Sequence, residues 1–402
     1  MYKFFDKNMK RLLRVSFDSF ILSFIPIIAW FMLGLTVDSN LINVFTITYP
    51  IQFIWSMLKS IFSVGPNVYK EKEKNENAVM NGMFCGIILG FIIFLVLILN
   101  VNSYIAYMHM DPSIYHNFTI YSLTLLYLQL IFSFIQQKLY FENKNAISNK
   151  YTLVFNLLNL VSLFIISILV KNQFVIIFVT LLTVSLYLLS IVYREFNNFK
   201  FDIKILKYIR YDSVDLAGSL LFFFIFLFGL SNAMEFGPVY ALALTFITLI
   251  TDTQWDTLES IKTLAKVDIS KNEFNFKETI KNSYKLLSLM LLSIAILFVC
   301  LFKFYHVDPL ISLFYLSFSI GAFLVWPIYT IKTIYLQINY SAVEITSNKT
   351  LSNIIRFILS LLKTPYCTAI GELASAIYQT VIVSLIFNDH YKVNKNGLVI
   401  AK

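Results

Sequence analysis

The sequence predicts an all-α polytopic membrane protein of about twelve transmembrane helices, arranged as two pseudo-symmetric six-helix lobes. Three observations predict it. The chain is far more apolar than a soluble one of its length, with 58% hydrophobic residues, 14% charged residues and a mean hydropathy of +0.72 over 402 residues. Apolar runs of roughly 20 residues, the length of a bilayer-spanning helix, recur from end to end without a long polar domain between them. Lys and Arg alternate from loop to loop in the way that fixes orientation in a membrane.

The runs fall at residues 16–35, 41–64, 79–99, 118–135, 153–170 and 174–192, then at 213–230, 238–255, 286–302, 310–335, a weak eleventh ending at 362, and 366–387. No segment alternates like an outer-membrane strand, so each backbone is expected to pair internally as helix. The eleventh is weak because residues 341–353 are polar and Arg356 sits in its apolar part. Pro26, Pro50 and Pro327 fall inside spans, where a missing backbone bond permits a bend. With the N terminus inside, 27 of the 32 basic residues lie in cytoplasmic loops and termini, against Lys171, Lys303 and Lys363 outside. The excess positive charge is therefore topological, and no nucleic-acid partner is implied. The first run lacks a small-residue cleavage site and is expected to remain as an uncleaved span.

The chain divides into an N-terminal lobe at 1–193, a cytoplasmic linker at 194–210, a C-terminal lobe at 211–388 and a cytoplasmic tail at 389–402. The linker carries basic and apolar residues at helical spacing and is expected to lie on the inner leaflet, as is the mixed-charge segment 262–285. The halves echo each other: "FDSF" at Phe17 opens the first span as "YDSV" at Tyr211 opens the seventh, and "WSMLKS" from Trp55 recurs as "WDTLES" from Trp255. Six spans per copy give parallel repeats about an axis along the membrane normal.

Several chemistries have no support. Cys85, Cys300 and Cys367 have no paired spacing, and His109, His116, His306 and His390 are scattered, so neither a disulfide framework nor a metal centre is indicated. No GxxxxGK[ST] loop occurs, which leaves ion gradients rather than ATP to drive any pumping. No cofactor is implied.

The candidate site residues are acids within or near spans. Asp252 lies 14 residues past Pro238, roughly 21 Å into a core about 30 Å thick. Asp252, Asp256 and Glu259 follow the i, i+4, i+7 spacing of one helical face. Two readings stay open: a solvated cytoplasmic helix end with Glu259 paired to Lys262, or a cavity-facing stripe in which Asp252 or Asp256 binds sodium or exchanges a proton. Asp18 and Asp215 sit near the starts of spans one and seven, where an acid also suits a helix N terminus. Glu372 is about 10 Å into span twelve and is expected to pair with Arg356, as a structural ion pair or as a gate. Asn156 and Asn159, at i and i+3, suit interhelical hydrogen bonding or a polar cavity wall.

The stretch from Phe31 to Ala78, in which a short turn after Gly34 leads into an apolar helix and a charged loop, resembles the multidrug and toxic compound extrusion (MATE) family, as does the layout of Ser231 to Ser270. The resemblance spans nearly the whole chain in helix number, central linker and six-plus-six repetition. It implies two lobes around a cavity open alternately to either side, exporting amphipathic or cationic small molecules against inward sodium ions or protons. Many members carry an Asp shortly before the Gly that ends the first helix. Ala29 stands there in this chain, so the acids of the second lobe, Asp215, Asp252 and Asp256, become the coupling candidates. The expectation is a monomeric secondary antiporter in the plasma membrane, with both termini cytoplasmic and no enzymatic activity. The alternatives are a lipid-linked oligosaccharide precursor flippase, for which intramembrane Lys59 and Arg356 supply little basic lining, and a lipid-modifying enzyme using the Asp252–Asp256 spacing.

Overall fold

In the computed structural model, the described residues are 7–38, 41, 43–64, 66, 69–70, 77–142, 144–170, 172–195, 213–270, 273–302, 307–340 and 342–401. Among them lie twelve long helices and one short one: α1 Lys7–Thr36, α2 Asn43–Lys59, α3 Asn77–Leu99, α4 Val101–Tyr107, α5 Pro112–Phe141, α6 Asn145–Leu169, α7 Gln173–Glu195, α8 Ser213–Phe236, α9 Pro238–Ser270, α10 Phe276–Leu301, α11 Pro309–Asn339, α12 Ala342–Ser360 and α13 Cys367–His390. Each of the twelve expected spans lies on one of the twelve long helices. Seven of them, α3, α5, α6, α7, α10, α11 and α13, are long and apolar enough over their described residues to cross a membrane by length and composition alone. The protein is an all-α polytopic membrane fold.

Helix ends follow local chemistry. Asp308 caps α11 by accepting from the Ile311 backbone N–H at 2.9 Å, with Pro309 in the first helical position, where its missing N–H costs nothing. Asn275 caps α10 in the same way through Glu278 N–H at 3.1 Å. Between α8 and α9 the chain turns at Gly237, whose φ of 132° is open to glycine and strained for other residues, and Pro238 then starts α9. Past Lys59, α2 continues as a single π-helical stretch, Ser60–Val64.

The chain forms two compact units, residues 25–227 and residues 1–24 with 228–402. The linker expected between the lobes lies outside the described residues beyond Glu195. In the first unit, α3 presents Gly82, Gly86 and Gly90 inward and Phe84, Ile88, Phe91, Ile92, Leu95 and Val96 outward. An added Cβ would lie 2.7 Å from the Phe62 carbonyl at Gly82 and 2.8 Å from Leu130 Cδ2 at Gly90, so the small stripe lets the helices close up where apolar burial gives no advantage over lipid. The unit's buried polar contacts run helix to helix: Ser122 Oγ donates to Thr48 Oγ1 at 2.9 Å, and Gln136 Nε2 to Thr152 Oγ1 at 2.6 Å.

In the second unit, α13 packs along both α11 and α12, and α9 packs on α11 and α10. The start of α1 belongs here, with Ser16 Oγ 2.6 Å from Ser260 Oγ. Helix α12 is amphipathic in reverse. Asn348, Ser352 and Asn353 are 8%, 0% and 3% exposed, while Leu351 and Ile358 are 47% and 57% exposed. That inversion explains why the eleventh span reads weakly: its polar face is turned to protein and its narrower apolar face outward.

Four expectations change at this level. The eighth span does not stop at Trp255; α9 runs on to Ser270, so Asp252 stands near its middle. Among the described residues of 262–285 there is no separate surface helix: they are the end of the helix that reaches Ser270 and the start of the one that begins at Phe276. Lys332, counted among the cytoplasmic loop charges although the tenth span reaches residue 335, lies within α11, where its Nζ donates to Ser384 Oγ at 2.9 Å and sits 5.5 Å from the Phe387 ring centroid. The tail is not a plain polar extension. After His390, strands β1 Tyr391–Val393 and β2 Val399–Ala401 pair antiparallel around a turn closed by Asn394, whose side chain accepts from Leu398 N–H at 2.9 Å. The hairpin is held because apolar Tyr391, Val393 and Val399 pack on the cluster of Leu336, Ile345, Val383 and Phe387, and Asn275 Nδ2 donates to the Asn396 carbonyl at 3.0 Å.

Candidate functional site

The site builds around Glu372, in the second turn of α13. Ser319 of α11 donates its hydroxyl to Glu372 Oε2 at 3.2 Å, and the Trp255 indole of α9 lies on the same carboxylate's side of the bundle. Arg356 of α12 supplies the opposite charge. Its approach depends on the neighbouring Gly371: a Cβ there would meet Arg356 Cγ and the Arg356 carbonyl, each at 3.2 Å. Four helices thus converge on one partly buried acid, with a hydrogen bond and a counter-charge offsetting part of its desolvation cost.

Trp255 is positioned by aromatic packing, its ring centroid 4.4 Å from Phe323 and 6.4 Å from Trp326 on α11. The WxxLxS echo gives a comparison within the chain. Leu58 and Leu258 are both fully buried, so the two copies use the motif's leucine alike. Trp55, however, packs on Tyr127 with its buried Nε1 lacking a described acceptor, whereas Trp255 packs on Phe323 and Trp326 with the acid Glu372 nearby. The acid belongs to one copy.

One and two turns further along α13, Ser375 and Gln379 face α12. Gln379 Nε2 donates to Ser352 Oγ at 2.7 Å, and Ser352 Oγ to the Ser375 carbonyl at 3.3 Å. Glu372 feels the charge of Arg356, the partner expected for it, and the polar residues around them continue into a longer seam. Ser319, Trp255, Ser352 and Gln379 were not singled out from sequence. Ser319 and Ser352 look like ordinary intramembrane serines, and only Trp255 carried a signal, the repeated motif.

The other candidates are placed differently. Asp252 is partly exposed on α9, between buried Thr251, Thr253 and Gln254, and Gln254 Nε2 donates to Ser293 Oγ at 3.0 Å. Asp256 and Glu259 on α9, Asp18 on α1 and Asp215 on α8 have their side chains outside the described residues. Asn156 and Asn159 are both 2% exposed in the packing of α6. Asn159 Oδ1 accepts from Tyr121 Oη at 2.8 Å, and Asn156 Nδ2 donates to the Thr152 carbonyl at 3.0 Å. Among the described residues no group of three or more His, Cys, Asp or Glu could hold a metal ion.

No protein-family model and no curated protein sequence matches the chain. Solved structures do. A multidrug-resistance MATE family transporter of the MOP superfamily, in an outward-facing conformation, superposes with a TM-score of 0.65 at 13% identity, covering 96% of each chain. A MATE structure in a straight conformation gives 0.65 at 14% identity over 95% of this chain and 96% of that one. A MOP superfamily transporter from Pyrococcus furiosus, described as having a binding pocket of reversed polarity that suggests a different function, gives 0.63 at 13% identity over 94% and 96%. At such identities the likeness shows the fold, over essentially the whole length of both chains.

Proposed function

We propose that this chain is a monomeric secondary transporter of the plasma membrane, with both termini cytoplasmic, which exports amphipathic or cationic small molecules by antiport with sodium ions or protons. The observation that carries the reading is Glu372, an acid held where four helices meet and poised against Arg356. The full-length likeness to MATE and MOP transporters supports it.

In physical terms, an ion that neutralises Glu372 cancels its attraction to Arg356 and weakens its hold on Ser319. The relative cost of two packings of α9, α11, α12 and α13 then changes, and the ion can shift the equilibrium only by its differential affinity for them. The rings of Trp255, Phe323 and Trp326 offer faces on which an organic cation is stabilised. A flippase for phosphorylated lipids would need free basic lining, whereas Arg356 is balanced by Glu372 and Lys332 is engaged with Ser384.

Efflux of a fluorescent organic cation from proteoliposomes, under sodium or proton gradients imposed separately, tests the reading. Glu372→Gln is expected to lose gradient-driven efflux under one of them, while Asp252→Asn reports whether α9 adds a second ionic group. Undiminished gradient-driven efflux in a folded Glu372→Gln protein would remove Glu372 from the coupling mechanism.

A further inference from the structure

Helices α12 and α13 run antiparallel in a register that several contacts fix. Arg356 lies over Gly371, Ser352 reaches Ser375 and Gln379, and Ile345 shares a cluster with Val383. Each turn toward the hairpin along α13 is thus matched by one turn back along α12, which sets Asn348 level with Gln379. The polar residues on this line are Arg356, Ser352 and Asn348 on one side and Glu372, Ser375 and Gln379 on the other.

The seam's hydrogen bonding is incomplete. On this line Asn348 Oδ1 is buried with no partner among the described atoms, as is Asn353 Nδ2 on the neighbouring face of α12. Each such group costs free energy in an interior without water, and an unpaired amide oxygen on the line that leads from Glu372 favours occupation by solvent. The seam does not run on to the surface. At the level of Ile345 it meets a wholly apolar cluster, Leu336, Ile345, Val383 and Phe387, each at most 1% exposed, and the hairpin's Tyr391, Val393 and Val399 close over it.

We propose that the α12–α13 seam holds a chain of water that passes protons between Glu372 and the hairpin end of the bundle, with Leu336, Ile345, Val383 and Phe387 as its hydrophobic gate. The inference rests on the proposed coupling role of Glu372 and specifies its ion as the proton. The step balances without a co-reactant: the Glu372 carboxylic acid gives its proton to the first water, and each water or hydroxyl accepts one proton and donates another. The last proton leaves to bulk once the gate hydrates, and the carboxylate beside Arg356 takes up its next proton from the opposite side of the membrane when the alternating protein exposes it there. Among the described residues, Arg356 is the charged group that faces Glu372 from α12, while α11 and α9 present neutral Ser319 and Trp255. Lys332, bonded to Ser384 at the gate, places a fixed positive charge that opposes proton entry while the gate is dry.

The test is proton flux in substrate-free proteoliposomes carrying an internal pH dye. Wild-type protein is expected to hold an imposed pH gradient. Ile345→Thr with Val383→Thr, which keeps similar shapes but adds hydroxyls to the gate, is expected to collapse it about tenfold faster. Adding either Gln379→Leu or Glu372→Gln to that background is expected to restore the wild-type rate. A gate variant that holds the gradient overturns the proposal, as does a leak that survives Gln379→Leu or Glu372→Gln. Hydrogen–deuterium exchange of the Glu372 carboxyl, followed by infrared spectroscopy in Gln379→Leu alone, gives a reading with the gate intact. Slower exchange than wild type is expected, and an unchanged rate refutes the route. The efflux assay on Glu372→Gln separates the two ideas: coupling at Glu372 can stand there while the seam fails here.

Discussion

Helices α8 and α13 touch at a point where one methyl group decides the packing. A Cβ on Gly229 would overlap the Cγ2 methyl of Thr368 and lie 3.3 Å from Thr368 Cβ. Thr368 is 2% exposed and branched at Cβ, so it has neither space to withdraw nor a soft rotation to yield. Gly229→Ala should gain up to about 1 kcal/mol of helix propensity. Overpacking of this kind typically costs about 1–3 kcal/mol, so the clash is expected to outweigh the gain and the protein to be destabilised. Thr368→Ala alone removes the methyl and a hydroxyl that has no described partner, leaving a small cavity worth about 1 kcal/mol. The double variant should recover most of the loss, giving a coupling energy of at least about 1 kcal/mol between the two sites. Thermal and denaturant unfolding in detergent would measure the cycle. Thr368 is also one helical turn before Glu372, so the shift of α13 in Gly229→Ala should slow transport, and Thr368→Ala should restore it. Additive losses, or a Gly229→Ala protein as stable as wild type, would refute the close approach.

Two other expectations concern the ends of helices. A chain ending at His390 loses the hairpin and uncovers Phe387, which stacks on Phe276 at 5.5 Å and meets Tyr391 at 5.7 Å; a loss of about 2–4 kcal/mol is expected, read as a lower melting temperature. Between α5 and α6, Lys144 Nζ is 2.7 Å from Glu142 Oε2. Burial alone would raise the Glu142 carboxyl, but the hydrogen bond from Lys144 and the charges of Lys138 and Lys144 hold it below its usual value, and Glu142 raises Lys144. The pair's contribution is therefore present above the ordinary carboxylate range, fades as pH falls through the lowered value of Glu142, and fades again as pH rises through the raised value of Lys144. For so exposed a pair the effect is at most about 1 kcal/mol, and Glu142→Gln should flatten the acid limb of melting temperature against pH. An unchanged acid limb would show that the pair does not contribute.

How far the sequence reaches can be seen at α12, at Glu372 and at the C terminus. Residues 342–360 are the least span-like of the twelve in text, and no count of hydropathy reveals that Asn348, Ser352 and Asn353 face inward. Glu372 could be placed inside a span by counting from its start, and Arg356 guessed as its partner. Ser319 lies 53 residues away along the chain and Trp255 more than a hundred, and no local pattern links either to the acid. Residues 389–402 hold no apolar run of span length and read only as a cytoplasmic tail, yet their Tyr391, Val393 and Val399 pack on the cluster that contains Phe387.

The sequence by itself determined the number, order and approximate limits of the helices. In a bilayer, apolar length and internal backbone pairing leave helix as the solution, and both are properties of contiguous residues. The tertiary structure alone decided which polar groups meet. It set Glu372 against Arg356, Ser319 and Trp255, turned α12 inside out against α13, and folded the C terminus into a hairpin over the end of the bundle. Those outcomes depend on helix rotation and register, which follow from side-chain packing between segments far apart in sequence, where transfer of apolar groups from lipid to protein gives little preference of its own.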